Sequence, residues 1–168
     1  GNHVVHLKGE KKSGVGPYVG RNIDGTRYFD ICRVVEHYKR KNILEIGTWN
    51  GDTAASMIQA AFNSSNEVHY TGIDLFEDAS DDTDQKEFNV KKHHTKRSIE
   101  LKLTALSERY EKQNKKLTFY IMKGDSKEKL KILKDPALCK TYNIQPDFVF
   151  IDGGHSQETV YSDYNLCK

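Results

Sequence analysis

No apolar run in the chain approaches the roughly 18 residues that a membrane-crossing helix needs, so no transmembrane segment is expected. The N-terminal stretch GNHVVHLKGEKKSG has no apolar centre, and no secretory leader is expected there. Cysteine is scarce. Cys32, Cys139 and Cys167 are odd in number and none is paired at C-x-x-C spacing. This disfavours a disulfide framework and a zinc site, and fits free thiols in a reducing cytoplasm. A surplus of one charge is also missing: 26 basic against 24 acidic residues leave +2, too balanced to point to nucleic acid. Hydrophobic residues reach only 36%, but 10% aromatics and clear apolar runs argue against disorder. A chain of 168 residues suffices for one domain with one core.

Residues 1–25 are rich in glycine and lysine and poor in apolar side chains, which predicts a loop or arm. From residue 26 a domain is expected through residue 168. Tyr28, Ile31, Val34, Val35 and Tyr38 recur at helical spacing and predict an amphipathic helix over 27–40. A continuous apolar run over 42–46 suits a parallel strand covered on both faces. A glycine turn follows, then a helix over 53–62, with Asp52 or Thr53 as its cap. VHYTGID predicts strand two over 68–74. Residues 75–94 form a polar stretch with six acids from Glu77 to Glu87, expected to be a solvated lid. Further elements are a helix over 95–113, a strand over 117–122, a short helix over 127–133, a strand over 147–152 and a helix over 157–168. Asp135-Pro136 is expected to end the short helix, with a loop beyond. Right-handed crossovers between such units force an α/β fold with an open parallel sheet and helices on both faces.

Ligands bind such sheets beyond the carboxyl ends of the strands. The four ends carry Glu45-Ile46-Gly47, Asp74-Leu75, Gly124-Asp125-Ser126 and Asp152-Gly153-Gly154-His155. Gly47 and Gly51 bracket Thr48, Trp49 and Asn50 in a turn that brings backbone N–H groups near a ligand. A carboxylate at Asp74 is placed to accept from both hydroxyls of a ribose. Trp49 occupies the place where a dinucleotide fold needs a second glycine, which disfavours pyrophosphate. A ligand with a nucleoside and an amino acid but no phosphate is compatible.

ILEIGTWNGDTA, GIDLF, KGDS and DFVFIDGGHSQETVYSD together resemble a class I S-adenosylmethionine-dependent methyltransferase. The last motif is similar to the F-I-D-G-x-H-x-Y-E-x-V-x-x-D of small-molecule O-methyltransferase-like proteins. Asp152, Gly153, His155, Glu158, Val160 and Asp163 fall in step with it. The resemblance implies a Rossmann-like three-layer fold with strand order 3-2-1-4. It implies that Glu45, Gly47 and Gly51 surround the methionine part of S-adenosylmethionine, with Thr48, Trp49, Leu75 and Asp152 also at the cofactor. Asp74 would hold the ribose, and Asp125 and Ser126 would lie at the adenine. Asp152 and His155 would face methyl transfer, with Asp152 as base or as ligand to Mg2+ or another divalent cation. Two positions depart from metal-using relatives: Gly154 replaces a frequent acid and Gln157 a frequent aromatic residue. The family sheet normally has seven strands, and those after the fourth are not in this sequence. The domain is therefore expected to be incomplete on its C-terminal side, with a sheet edge open to a second copy.

The expected activity is transfer of a methyl group to a hydroxyl of a small molecule, with no membrane or nucleic-acid partner. A non-catalytic or partner-completed cofactor-binding module is the alternative. An NAD-dependent dehydrogenase is a more distant one, disfavoured by the turn spacing. The basic cluster Lys91, Lys92, His93, His94, Lys96 and Arg97 reads as a solvated helix start or as an anion site.

Overall fold

A computed structural model describes residues 26–86, 92–154 and 156–168, with side chains from residue 28 onward. The expected arm, Glu87, Lys91 and His155 lie outside the described residues. The chain alternates helices and strands: α1 (Thr26–His37), β1 (Asn42–Ile46), α2 (Asp52–Phe62), β2 (Glu67–Asp74), α3 (Asp81–Lys86) and α4 (Lys96–Glu111). Then come β3 (Lys116–Lys123), α5 (Ser126–Lys129), α6 (Pro136–Thr141), β4 (Phe148–Ile151) and α7 (Gln157–Leu166). All strand pairs are parallel and the order is β3-β2-β1-β4, as the resemblance implied.

Alternation along the strands separates two apolar layers. Ile43, Val68, Tyr70, Ile121 and Phe148 face α1, α2 and α4, where they meet Ile31, Val35, Met57, Ile58 and Leu103. Leu44, Ile46, Ile73 and Met122 face the opposite layer and pack with Leu130, Ile144 and Leu166. Both faces of β1 are covered, so its run shows no polar alternation. Helix α4 buries Ile99, Leu103, Leu106 and Tyr110, the stripe that its sequence predicted. The start of β4 is tied to that of β1 by the Asp147 carboxylate, which accepts from Asn42 N at 2.9 Å and Lys41 N at 3.1 Å.

Several boundaries differ from expectation. Helix α1 ends at His37, and Tyr38 lies beyond it, half exposed rather than on its apolar face. The cap of α2 is neither Asp52 nor Thr53. Gly51 holds that position in the left-handed region, and Asn50 Oδ1 accepts from Asp52 N at 3.0 Å in place of a cap side chain. The stretch expected as a lid contains a 3-10 turn (Phe76–Asp78) and α3. Glu77 staples it: one carboxylate oxygen accepts from Lys96 N at 2.9 Å, the other from Lys123 Nζ at 3.2 Å. Those bonds, the Lys96 backbone N–H first, lower the Glu77 pKa. Asp135-Pro136 does not open a loop but starts α6, with the Asp135 carboxylate accepting from Ala137 N and Leu138 N.

Candidate active site

The exits of all four strands meet at one cavity. It is lined by Gly47, Thr48 and Trp49 after β1, Asp74 and Leu75 after β2, Asp125 and Ser126 after β3, and Asp152 and Gly153 after β4. Ile46 and Ile73 form its apolar floor, and Tyr28, Asp84, His93, His94 and Thr159 its walls.

The glycine turn is held from below and from the side. Gly47 N donates to Ile73 O at 2.8 Å, and Asp152 N donates to Ile46 O at 2.8 Å, so the β1 exit is sewn to both neighbours. Gly47 has φ +91°, and an added Cβ would sit 2.3 Å from Asp152 O and 2.6 Å from Gly153 N. The backbone of the β4 exit, not a ligand, is what demands glycine there. Asp74 clamps the same turn. Its Oδ2 accepts from Trp49 N and its Oδ1 from Phe76 N, each at 2.8 Å. A carboxylate has about four acceptor sites, so acceptor capacity toward the cavity remains.

Trp49 adopts φ 46° and turns its indole outward. The ring N–H donates to Lys92 O at 2.7 Å, and the ring meets His94 edge-on at 5.7 Å. Trp49 therefore fastens the segment before α4 across the glycine turn. The basic cluster is divided by this. His93 and His94 border the cavity, His93 Nε2 lies 2.8 Å from Asp84 Oδ2, and Lys96 pairs with Glu100 along the helix.

Glu45 is not in the cavity wall. It is 1% exposed beneath the turn, where Tyr70 Oη donates to its Oε2 at 2.5 Å and Thr48 Oγ1 lies 3.3 Å from that phenol. Its Oε1 finds no partner among the described residues. Burial pushes the Glu45 carboxyl well above the usual carboxylate range. The Tyr70 bond opposes this, and the charges of Asp152 and Asp74 add to it. Glu45 thus acts through Tyr70 on Thr48, which does border the cavity.

Asp152 sits at the β4 exit, and Tyr28 Oη donates to its Oδ2 at 3.2 Å. Tyr28 also packs edge-on against Phe150. The sequence placed Tyr28 on an apolar helix face, and no local signal marks its hydroxyl as reaching a residue 124 positions away. Among the described residues no group of three or more His, Cys, Asp or Glu could hold a metal ion. Asp152 as a divalent-cation ligand is therefore unsupported by its described neighbours. On the opposite side, Asp125 caps α5 by accepting from Lys127 N at 2.8 Å, and Ser126 Oγ donates to Asp163 Oδ1 at 2.6 Å. Thr159 and Asp163, both on α7, come from the same motif region: Thr159 borders the cavity and Asp163 holds Ser126.

A doubly covered parallel sheet in the order 3-2-1-4, with a glycine turn and an acid at adjoining strand ends, defines a Rossmann-like α/β protein. Residues 44–168 match the family described as a methyltransferase domain, and the chain belongs to that family. No curated protein matches the chain. No helix among the described residues is long and apolar enough to cross a membrane.

Proposed function

We propose that the protein is an S-adenosylmethionine-dependent methyltransferase acting on a hydroxyl of a small molecule. The supporting observation is that the glycine turn, Asp74, Ser126 and Asp152 converge on one cavity from four strand exits. The donor set fits a nucleoside joined to an amino acid. Asp74 keeps acceptor capacity for ribose hydroxyls, Ile46, Ile73 and Leu75 offer apolar surface to a base, and Asp125 and Ser126 border that end. Thr48 and Trp49 border the end assigned to the methionine part.

When bound, S-adenosylmethionine supplies an electrophilic methyl group on a sulfonium. The chain's own tasks are alignment and proton removal. Tyr28 orients the Asp152 carboxylate by donating to Oδ2, and Asp152 takes the proton of the acceptor hydroxyl. The segment that Trp49 pins brings His93 and His94 to the cavity wall. Three free cysteines, one buried and two half-buried, support a reducing, cytoplasmic setting. The test uses two variants. Asp152→Ala should leave S-adenosylhomocysteine affinity within about threefold of wild type and abolish methylation of a hydroxylated acceptor. Unchanged turnover in that variant removes Asp152 from the chemistry. Tyr28→Phe should lower turnover by about 10-fold through loss of one orienting bond.

A further inference from the structure

Asp163 carries no role in the proposed chemistry, yet it is 0% exposed and grips a residue of the cavity wall. A hydroxyl has one proton to give and two lone pairs to accept with. The Ser126 proton is committed: Oγ donates to Asp163 Oδ1 at 2.6 Å, the short distance of a bond to a charged acceptor. The Asp163 charge, after burial, is the second cause that pushes the neighbouring Cys167 thiol up to about 12.

The grip is firmly mounted. Ser156 caps α7 by accepting from Thr159 N at 3.3 Å, and Lys127 pairs with Glu158 at 3.0 Å across the α5–α7 contact. Toward the cavity, Ser126 Oγ is thus left with lone pairs only.

We infer that Asp163 is a positioning residue that fixes Ser126 as a hydrogen-bond acceptor, so that the site selects a 6-amino purine and rejects a 6-oxo purine. This rests on the proposed cofactor assignment, which sets the purine beside Ser126. An adenine amino group donates to Ser126. A hypoxanthine carbonyl turns lone pairs against it, and the serine proton cannot swing round without breaking its 2.6 Å bond to the buried Asp163 carboxylate. Rejection by an unmet hydrogen bond is the strong form of ligand discrimination.

Calorimetry with S-adenosylhomocysteine and S-inosylhomocysteine tests this. Wild type should bind the 6-amino ligand at least about 10-fold more tightly than the 6-oxo ligand. In Ser126→Ala the ratio should fall toward 1, and Ser126→Thr, which keeps the hydroxyl, should restore it. In Asp163→Asn the amide can donate to Ser126 and release its proton, so the ratio should also fall. Circular dichroism melting establishes that each variant folds. If Asp163→Asn does not fold, the wild-type ratio and the Ser126→Ala and Ser126→Thr pair decide. Equal binding of both ligands by wild type, or an unchanged ratio in Ser126→Ala or in folded Asp163→Asn, overturns the inference and leaves the cofactor assignment standing. Binding of neither ligand by wild type overturns the cofactor assignment itself.

Discussion

Gly47 carries two demands at one position. Its φ of +91° disfavours any side chain, and its missing Cβ makes room for the Asp152 carbonyl. Gly47→Ala should therefore cost at least about 3 kcal/mol and lower the melting temperature by roughly 10 °C. A variant that melts within about 2 °C of wild type would show that the β4 exit can yield. Glu45 makes a pH-dependent prediction. Its carboxyl holds its proton in the folded state to a higher pH than the ordinary value of 4.5. Below the unfolded value both states are protonated, and the contribution to stability is fully present. Above it the unfolded chain releases the proton while the native state keeps it, so stability falls as pH rises through the folded pKa. Glu45→Gln keeps an acceptor for Tyr70 without that proton demand. It should melt higher than wild type at pH 8, by about 1–3 kcal/mol of stability, with the gap closing toward pH 4.5. His69, whose pKa burial lowers, acts in the opposite direction at lower pH and cancels in the difference.

At the scale of elements, hydrophobic period sets type and capping sets the ends. The stripes of α2 and α4 and the continuous run of β1 were legible because burial imposes them directly on residue spacing. Helix α6 was not legible. PALCKT is too short to show a period, and although the preceding helical segment does end before Asp135-Pro136 as expected, Pro136 also occupies the first turn of α6, where proline is tolerated. Only the Asp135 bonds to Ala137 N and Leu138 N distinguish this start from a stop alone. Asp135→Ala should destabilise the protein by about 1 kcal/mol in urea titration, with an unchanged slope. Destabilisation near zero would mean that α6 is held without its cap. The end of α2 behaves likewise: the N-cap glycine needs αL backbone, and the polar cap comes from Asn50, one residue earlier.

Across the whole molecule, the parallel sheet covered on both faces and the convergence of strand exits were legible, since crossover handedness leaves little freedom, whereas the strand order came from the family resemblance. The partners within the site were not. Tyr28 on Asp152, Asp74 on Trp49 and Ser126 on Asp163 each join residues at least 25 positions apart, and only packing decides such pairs. At Asp74 such a pair bears on function. Because Asp74 binds the turn as well as facing the cavity, Asp74→Ala would remove the proposed ligand contact and the bond to Trp49 N together. Its loss should weaken S-adenosylhomocysteine binding by about 100-fold, more than one hydrogen bond alone accounts for. The central claim is that this cavity takes a nucleoside linked to an amino acid and refuses a pyrophosphate. Parallel titration calorimetry of the wild-type protein with S-adenosylmethionine and with NAD tests it directly. Saturable binding of S-adenosylmethionine and no heat with NAD are expected; binding of NAD, or no heat with S-adenosylmethionine, would contradict the claim.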